Sequence, residues 1–596
     1  MQTEGSCLKM MVKRFCENLI KVDGIMDYAV RFVIENQLKD RATWRSYIDV
    51  FSTREDASDE RWRGEYFGKQ MRGACYAYMY TNDQDLYDIL TWASEELLKT
   101  QDEWGRISTY SMDNEFCGWD MWCRKYVLTG LQHYYRICKD AEFKEKILKV
   151  CCQHLDYIID HIGSGKIEIT TTSKWWGTVN SCTILEPTVE LYRMTSCEKY
   201  LEFAKYIIST GGSSDCNLVE LALDGSLMPY QYPVTKAYEM MSFYEGLIAY
   251  YEVTGEKKYF DAADKFFEAV ASSDITIIGC SGCTHELFDH SATKQTEYSE
   301  HIMQETCVTV TWIRVMTRMY LLTGDVKYID RIECSGYNAL YGSLNTKRCK
   351  QQELGLKEYL EPKTFDSYSP LYMNTRGRGI GGFLTFANGD YGGCCVAIGA
   401  CGVSLMPLTA VVYDDEYIYV NHQFKGTVTV KDKDGKDIVL KFDSQYPTRD
   451  TCRIMVSDEC DLKLKIRKPN WCETMLVNGN RVTEEGYYDA SDQYQSNEEI
   501  VFEWSQELKL HKLNDKIAFT YGAVVLAVDC AKSDSNIEAP VHVLEPLIYK
   551  VLEPTGDELV RIQCETKDGK LLLTDYQSCG KEWTQERNII SVWLNT

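Results

Sequence analysis

Three cysteines and a glutamate in two short segments of the chain have the chemistry to hold one metal ion. Cys394 and Cys395 are adjacent, and Glu305 and Cys307 lie upstream with one residue between them. Thiolates and carboxylates are normal zinc ligands, and four of them complete a structural zinc site. Zinc also keeps a bound thiol deprotonated at neutral pH, which makes it a nucleophile. If the four side chains meet, the sequence predicts a metal-supported enzyme.

Adjacent cysteines alone do not define such a site, because the chain contains 25 cysteines. A second adjacent pair, Cys151-Cys152, falls in a segment with the pattern of an amphipathic helix and serves as an internal comparison. Cys280 and Cys283 form a C-x-x-C pattern, but no second pair at zinc-finger spacing accompanies it. The chain has only nine histidines, which disfavours a His-rich metal centre.

Bulk composition restricts the class of partner. The formal charge of −24 argues against nucleic acid or an anionic membrane, since both require clustered Lys and Arg. It is compatible with a small neutral molecule or a sugar, and 41 Tyr and 13 Trp provide aromatic faces for stacking or for a helical core. Residues 1–16 lack the apolar core of a secretion signal, and the irregular cysteines do not form a disulfide pattern. We therefore expect reduced thiols and a cytoplasmic protein.

An internal repeat occupies the first two-thirds of the chain. An aromatic residue is followed by a small residue three positions later and by a Leu or an aromatic ring five positions after that. The five instances begin at Tyr78, Tyr135, Tyr192, Tyr251 and Tyr320. Their spacing accommodates two helices and the connecting loops, and Gly255 and Gly324 mark helix ends. The repeat, with a divergent sixth copy, predicts a closed (α/α)6 toroid; an open solenoid is the alternative.

Beyond residue 409 the pattern changes to short segments of alternating polarity, which is typical of strands. These segments are Tyr417–Asn421, Thr427–Lys431, Ile438–Phe442 and Leu462–Ile466. The predicted organisation is a catalytic toroid at 1–408, an antiparallel β-sandwich at 409–530 and a second small β region at 531–596. The fold class is thus mainly α with β appendages.

Several strings along the chain resemble the DUF1680 or glycoside hydrolase family 127 proteins, whose characterised members include β-L-arabinofuranosidases. The combination of Glu305-Thr306-Cys307 with Gly393-Cys394-Cys395 carries most of the resemblance. The other matching strings are Trp62-Arg63-Gly64-Glu65, Trp122-Cys123-Arg124-Lys125, Leu185-Glu186-Pro187, Lys236-Ala237-Tyr238-Glu239-Met240-Met241, Tyr337-Asn338-Ala339-Leu340, Ile466-Arg467-Lys468-Pro469-Asn470-Trp471 and Val477-Asn478-Gly479.

The resemblance implies a toroid followed by β-sandwich regions and assigns roles to individual residues. Cys394 would be the nucleophile and Glu286 the general acid/base of a double displacement that retains the anomeric configuration. From the spacing of the residues alone, an ordinary exposed loop carboxylate is the favoured interpretation of Glu286. The implied zinc ligands are Glu305, Cys307, Cys394 and Cys395.

This chain departs from the family pattern at three positions, two of which are expected to contact the sugar. Tyr126 and Lys236 stand where histidines are expected, and Val396 replaces a common proline. Loss of two neutral contacts and gain of a cation lead to the hypothesis that the glycone carries a carboxylate. Tyr126 and Lys236 are therefore the predicted substrate-binding residues.

The sequence predicts a zinc-dependent retaining glycoside hydrolase that acts on a small glycoside or oligosaccharide. The resemblance implies a β-L-arabinofuranoside as the default substrate. A related sugar that carries an acidic group is the second option. No nucleic acid or membrane partner is expected, and a homodimer is an open option. The alternatives are a sugar epimerase or lyase on the same toroid, and a non-catalytic carbohydrate-binding protein.

Overall fold

A computed structural model describes most of the 596-residue chain. The described residues are 13–58, 61–284, 286–298, 304–347, 371–373, 391–431, 434–457, 462–491, 499–533, 536–581 and 589–596, together with short strands at 349–350, 359–360 and 384–385. The α-helices are α1 Ile25–Val33, α2 Arg41–Thr53, α3 Glu65–Thr81, α4 Gln84–Leu98, α5 Asp120–Ile137, α6 Ala141–His161, α7 Val179–Cys182, α8 Leu185–Thr195, α9 Glu198–Ser209, α10 Leu218–Asp224, α11 Ala237–Thr254, α12 Lys257–Ser273, α13 Ser291–Lys294, α14 Thr306–Thr323, α15 Val326–Ser335 and α16 Cys394–Ala410.

The strands fall mainly before α1 and after α16. They are β1 Arg14–Phe15, β2 Ile20–Val22, β3 Cys349–Lys350, β4 Tyr359–Leu360, β5 Leu384–Thr385, β6 Tyr391–Gly392, β7 Val411–Tyr413, β8 Tyr417–Val420, β9 Gly426–Lys431, β10 Asp437–Ser444, β11 Thr451–Val456, β12 Lys463–Arg467, β13 Met475–Val477, β14 Asn480–Val482, β15 Tyr487–Asp489, β16 Glu499–Trp504, β17 Leu508–Leu513, β18 Lys516–Tyr521, β19 Val524–Asp529, β20 Tyr549–Leu552, β21 Arg561–Thr566, β22 Gly569–Asp575, β23 Ile590–Ser591 and β24 Leu594–Asn595.

Within the described part of the chain, the helices form two concentric rings. In the inner ring α3, α5, α8, α11 and α14 pack in sequence, and α16 packs against both α14 and α3 to close the circle. Outside them, α4, α6, α9, α12 and α15 each pack against the inner helix that precedes them, and α1 packs against α16. The predicted (α/α)6 toroid is confirmed.

The sequence repeat marks the turns of this toroid. Tyr78 near the end of α3 and Tyr320 near the end of α14 each precede the turn into an outer helix. Gly255 and Gly324 follow the last residues of α11 and α14 with φ angles of 72° and 74°, where a side chain would be strained. The sixth inner helix, α16, has no such turn because it continues directly into β7, and its outer partner α1 comes from the start of the chain.

Two sheets follow the toroid. One has the order β1-β7-β8-β12-β15, and the other has the order β14-β13-β16-β11-β10-β9-β2. The N-terminal strands β1 and β2 complete these sheets by pairing with β7 and β9. The pairs are antiparallel as predicted, except that β8 and β12 run parallel. Parallel pairing is possible there because the chain crosses to the other sheet between those two strands.

A third sheet has the order β17-β18-β19-β22-β21-β20, with β23 and β24 paired to β19 and β18. The third sheet begins with β17 at Leu508, whereas the predicted limit between the two β domains lies at residue 530. The bounds of the three predicted domains stay predictions. Among the described residues, no helix is long and apolar enough to cross a membrane.

Charged side chains join the toroid to the first sheet. The buried guanidinium of Arg467 on β12 donates to Glu333 Oε2 at 2.7 Å and to Asp330 Oδ1 at 3.0 Å, both on α15. The indole Nε1 of Trp471 also donates to Glu333 Oε2, at 3.0 Å. The string from Ile466 to Trp471 therefore has a structural role, because it fixes the β region against the ring.

Candidate active site

The N-terminal ends of the inner helices surround a pocket of about 340 Å³. Glu65 is the first residue of α3, Trp119 and Lys236 immediately precede α5 and α11, Glu305 precedes α14, and Cys394 begins α16. All five line the pocket. Helix N-termini carry partial positive charge, so this end of the ring favours anionic side chains such as carboxylates and thiolates.

The four predicted metal-binding residues meet beside this pocket, and Glu305, Cys307 and Cys394 line it. One ligand atom from each of Glu305, Cys307, Cys394 and Cys395 lies within 4.8 Å of the others. The sulfur atoms of Cys394 and Cys395 are 3.9 Å and 3.6 Å from Glu305 Oε1. Glu305 and Cys307 come from the start of α14, and the cysteine pair comes from the first turn of α16. Closure of the ring between these two helices thus brings both sequence segments together.

The electrostatics of this cluster match a cation site. Burial raises the pKa values of Glu305 and Cys307 well above their ordinary ranges. Glu305 Oε2 is buried and has no hydrogen-bond partner among the residues that the structure describes. Four groups that would each be anionic as ligands cannot share this volume without a compensating positive charge. The Glu/Cys3 set could hold a metal ion, and its donor types fit zinc.

The comparison pair Cys151-Cys152 has no such setting. Both residues lie in the middle of the outer helix α6, Cys151 buried and Cys152 partly buried. Within the described residues, neither belongs to a group of side chains that could hold a metal. Position in the fold, rather than adjacency, separates the two cysteine pairs.

Glu286 faces the pocket and forms an ion pair with Lys236, between Oε2 and the ammonium Nζ. Backbone contacts hold the two residues together, because the amide of Ala237 donates to the carbonyl of Glu286 at 3.0 Å. Burial lowers the pKa of Lys236, but the carboxylates of Glu286, Glu239 and Glu305 raise it by more. The Lys236 side chain is therefore protonated and positively charged at neutral pH. Glu286 is a pocket residue and not an ordinary exposed loop carboxylate.

Two further carboxylates line the pocket and were given no role from the sequence. Glu65 Oε1 lies 2.9 Å from Lys69 Nζ, and Glu65 Oε2 accepts a hydrogen bond from the indole of Trp122. Glu239 follows Lys236 by one helical turn and is 3% exposed. Burial raises the pKa of each carboxyl to about 7. The sequence indicates them only by their positions at the starts of α3 and α11 and by the family-like strings in which they lie.

Tyr126, a predicted sugar contact, is not among the described residues that line the pocket. It is completely buried, and its hydroxyl forms a hydrogen bond with the hydroxyl of Tyr238, which does line the pocket. Tyr126 therefore supports the pocket through Tyr238. Lys236, the other predicted contact, lines the pocket directly.

Tryptophans form much of the remaining lining. Trp62, Trp119 and Trp122 follow one another along one side, with ring centroids 5.9 Å and 6.0 Å apart. Trp175 and Trp176, from the loop before α7, also line the pocket. Aromatic faces of this kind, next to carboxylates, are suited to carbohydrate.

A larger pocket of about 640 Å³ lies at the C-terminal ends of the inner helices. Its charged lining consists mainly of arginines and glutamates that pair with one another. Arg318, for example, contacts Glu190 at 3.1 Å and Glu252 at 2.6 Å. None of the predicted site residues line it.

A helical toroid with a pocket of carboxylates, thiols and tryptophans is compatible with a carbohydrate-active enzyme. The family model described as β-L-arabinofuranosidase, GH127 catalytic domain, matches residues 13–351. The model for the GH127 middle domain matches residues 417–508. The chain belongs to glycoside hydrolase family 127 and is a glycoside hydrolase. Membership favours the predicted hydrolase over the epimerase, lyase and non-catalytic alternatives.

Solved structures share the fold over nearly the whole chain. A GH127 β-arabinofuranosidase superposes with a TM-score of 0.76 at 18% identity, covering 98% of both chains. A GH127 β-L-arabinofuranosidase from Geobacillus stearothermophilus T6 gives a TM-score of 0.72 at 17% identity, covering 97% of this chain and 99% of the other. No protein with a curated description matches the sequence. At these identities the likeness establishes the fold.

Proposed function

We propose that this enzyme hydrolyses glycosides with a terminal β-L-arabinofuranose by double displacement with retention. Cys394 is the nucleophile and Glu286 the acid/base. The observation that carries the proposal is that the Cys394 thiol and the Glu286 carboxylate line the same pocket. A retaining glycosidase needs these two functions on either side of the scissile bond.

Exposure supports Cys394 over the neighbouring thiols as the nucleophile. Cys394 is 9% exposed, whereas Cys307 and Cys395 are each 2% exposed. Cys395 is not among the described lining residues. Cys394 also starts α16, and the partial positive charge of a helix N-terminus stabilises a thiolate.

Glu305, Cys307, Cys394 and Cys395 would hold the zinc ion. When bound there, zinc would keep the thiols deprotonated and act as a Lewis acid toward sulfur. Without a cation the Cys394 thiol is a weak nucleophile, since its pKa is raised. The hydrogen bond with Cys307 lowers this pKa, but the hydrogen bond with Cys395 and burial together raise it by more.

The reaction needs two displacements. The cycle starts with Cys394 as a thiolate and Glu286 in its protonated, carboxylic acid form. In the first displacement, Cys394 Sγ forms a bond to the anomeric carbon while the bond to the leaving oxygen breaks, and that oxygen takes the proton of Glu286. In the second, Glu286 accepts a proton from water, the water oxygen bonds to the anomeric carbon, and the carbon–sulfur bond breaks. Each displacement inverts the anomeric centre, so the product retains the configuration of the substrate.

The charge of the pocket favours a neutral glycone over an acidic one. The cation that prompted the acidic-sugar hypothesis, Lys236, is already paired with Glu286. A glycone carboxylate would therefore compete with Glu286 in a pocket whose described lining has more carboxyl groups than ammonium groups. The charged lining residues are Glu65, Glu239, Glu286, Glu305, Lys69 and Lys236.

Trapping the covalent intermediate tests the proposal. In Glu286→Gln, an aryl β-L-arabinofuranoside with a good leaving group should still glycosylate the enzyme, because such a group departs without protonation, whereas hydrolysis of the intermediate loses its base. Peptide mass spectrometry should find one added pentosyl group on the peptide that contains Cys394. The double variant Glu286→Gln/Cys394→Ser is the matched control and should remain unmodified. A pentosyl group on another residue, or an inverted first product of wild type by NMR, would reject the mechanism.

A further inference from the structure

Two partly exposed tryptophans line the pocket in a loop whose backbone has positive φ angles. Trp175 and Trp176 are 37% and 39% exposed. Trp176, Gly177 and Thr178 have φ angles of 50°, 59° and 62°, so three consecutive residues are left-handed. Left-handed conformations are unfavourable for Trp and Thr, and residues held in them are concentrated at functional sites.

Neighbouring residues hold this conformation in place. The Thr178 hydroxyl donates to the carbonyl oxygens of Thr170 and Ser173 at 3.0 Å and 2.8 Å. The Gly177 carbonyl accepts from the Ser213 hydroxyl at 2.9 Å. A Cβ at Gly177 would lie 2.5 Å from Ser213 Oγ, so only glycine fits. The fold thus fixes a strained loop whose two tryptophans remain partly open to solvent.

The loop lies next to the proposed acid/base. The ammonium group of Lys236 is 5.4 Å from the centroid of the Trp176 ring, and the same ammonium pairs with Glu286. A general acid must reach the leaving oxygen at hydrogen-bond distance. The leaving group therefore lies on the Glu286 side of the pocket, which is the side of Trp176.

We infer that Trp175 and Trp176 form a binding subsite for the leaving group, and that this group is a second sugar ring. The inference rests on the proposed function, because it takes Glu286 as the acid. Indole rings offer a flat apolar surface with a negative face, which suits the C–H face of a neutral sugar. The substrate is then a disaccharide or a longer saccharide end, rather than a glycoside with a small aglycone.

Two substrates with the same glycone test this subsite. One is a disaccharide with a terminal β-L-arabinofuranose, and the other is methyl β-L-arabinofuranoside. In Trp176→Ala, the ratio of kcat/KM for the disaccharide to kcat/KM for the methyl glycoside should fall about tenfold. Trp176→Phe keeps an aromatic face and should recover part of the ratio. Trp104→Ala, a control at a tryptophan that is 54% exposed and does not line the pocket, should leave the ratio at the wild-type value.

The outcomes separate the subsite from the proposed function. An equal loss for both substrates would mean that Trp176 acts only by positioning Lys236 and Glu286, which overturns the subsite. An unchanged ratio with unchanged rates also overturns it. If wild type hydrolyses neither substrate, the proposed function fails and the subsite falls with it. Melting temperatures near that of wild type would show that the variants are folded.

Discussion

Lys236 and Glu286 form an ion pair inside the pocket, although they lie 50 residues apart in the chain. Lys236 precedes the first residue of α11, and the amide of Ala237 binds the carbonyl of Glu286. The pair therefore connects the ring to the loop that carries the proposed acid/base. The pair positions the Glu286 carboxylate. It also occupies Lys236, the cation on which the hypothesis of an acidic glycone was based.

Replacement of Lys236 by Met should lower kcat/KM on a β-L-arabinofuranoside by about 10- to 100-fold, because the Glu286 carboxylate loses the partner that positions it. Lys236→Arg preserves the charge and should retain more activity. The comparison is made on a neutral furanoside and on a glycoside whose sugar bears a carboxylate.

Two results would contradict this role of Lys236. Unchanged activity of Lys236→Met on both substrates would show that Lys236 neither recognises the substrate nor positions the Glu286 carboxylate. A selective loss on the acidic substrate, with the neutral one unaffected, would restore the hypothesis of an acidic glycone.

Metal content is expected to follow the Glu/Cys3 cluster. Purified wild type should contain about one zinc ion per chain, measured by plasma mass spectrometry, because four ligands of suitable type meet within 4.8 Å. Cys307→Ser should lower this content strongly, since one thiolate is lost from a four-ligand site. Cys151→Ser, at the comparison pair in α6, should retain the wild-type value. Freshly prepared wild type without metal would defeat the prediction.

Much of this fold could be predicted because its pattern is local. The repeat of aromatic and small residues marks turns between consecutive helices, so five of six hairpins were visible. The sixth was not, because α16 pairs with α1 from the other end of the sequence. Likewise the parallel pairing of β8 with β12 depends on a crossing between sheets that alternation of polar and apolar residues does not encode.

The site was predictable where residue type alone restricts the chemistry. Thiols and a carboxylate indicated a metal before any distance was known, and the ring brings them together. Glu65 and Glu239 lie in strings that resemble the family, but their type predicts no role because a carboxylate becomes unusual only through burial, which spacing does not reveal. Tyr126 illustrates the reverse, since its type suits a sugar contact but its position is behind the pocket lining.

The buried carboxyl of Glu239 predicts a specific dependence of stability on pH. Burial raises its pKa from 4.5 to about 7, so between these values the folded protein binds a proton that the unfolded chain has released. The stabilisation that this bound proton gives the folded protein is therefore fully present below pH 4.5. It falls as the pH rises toward 7, and the free energy of unfolding decreases by up to about 3 kcal/mol. Glu239→Gln removes this titration. Urea denaturation at pH 5 and pH 7 should show a smaller loss in Glu239→Gln than in wild type, and parallel losses would exclude the effect.

The junction between toroid and sheet provides a test of the fold. Arg467→Met leaves the carboxylates of Glu333 and Asp330 buried without their guanidinium partner, so we expect the free energy of unfolding to fall by about 3–5 kcal/mol. Arg453 on the neighbouring sheet is a matched control, because its 2.8 Å contact with Glu499 is exposed on both sides. Arg453→Met should cost less than about 1 kcal/mol. Similar losses in the two variants, measured by urea denaturation, would show that the Arg467 contacts do not hold the β region against the ring.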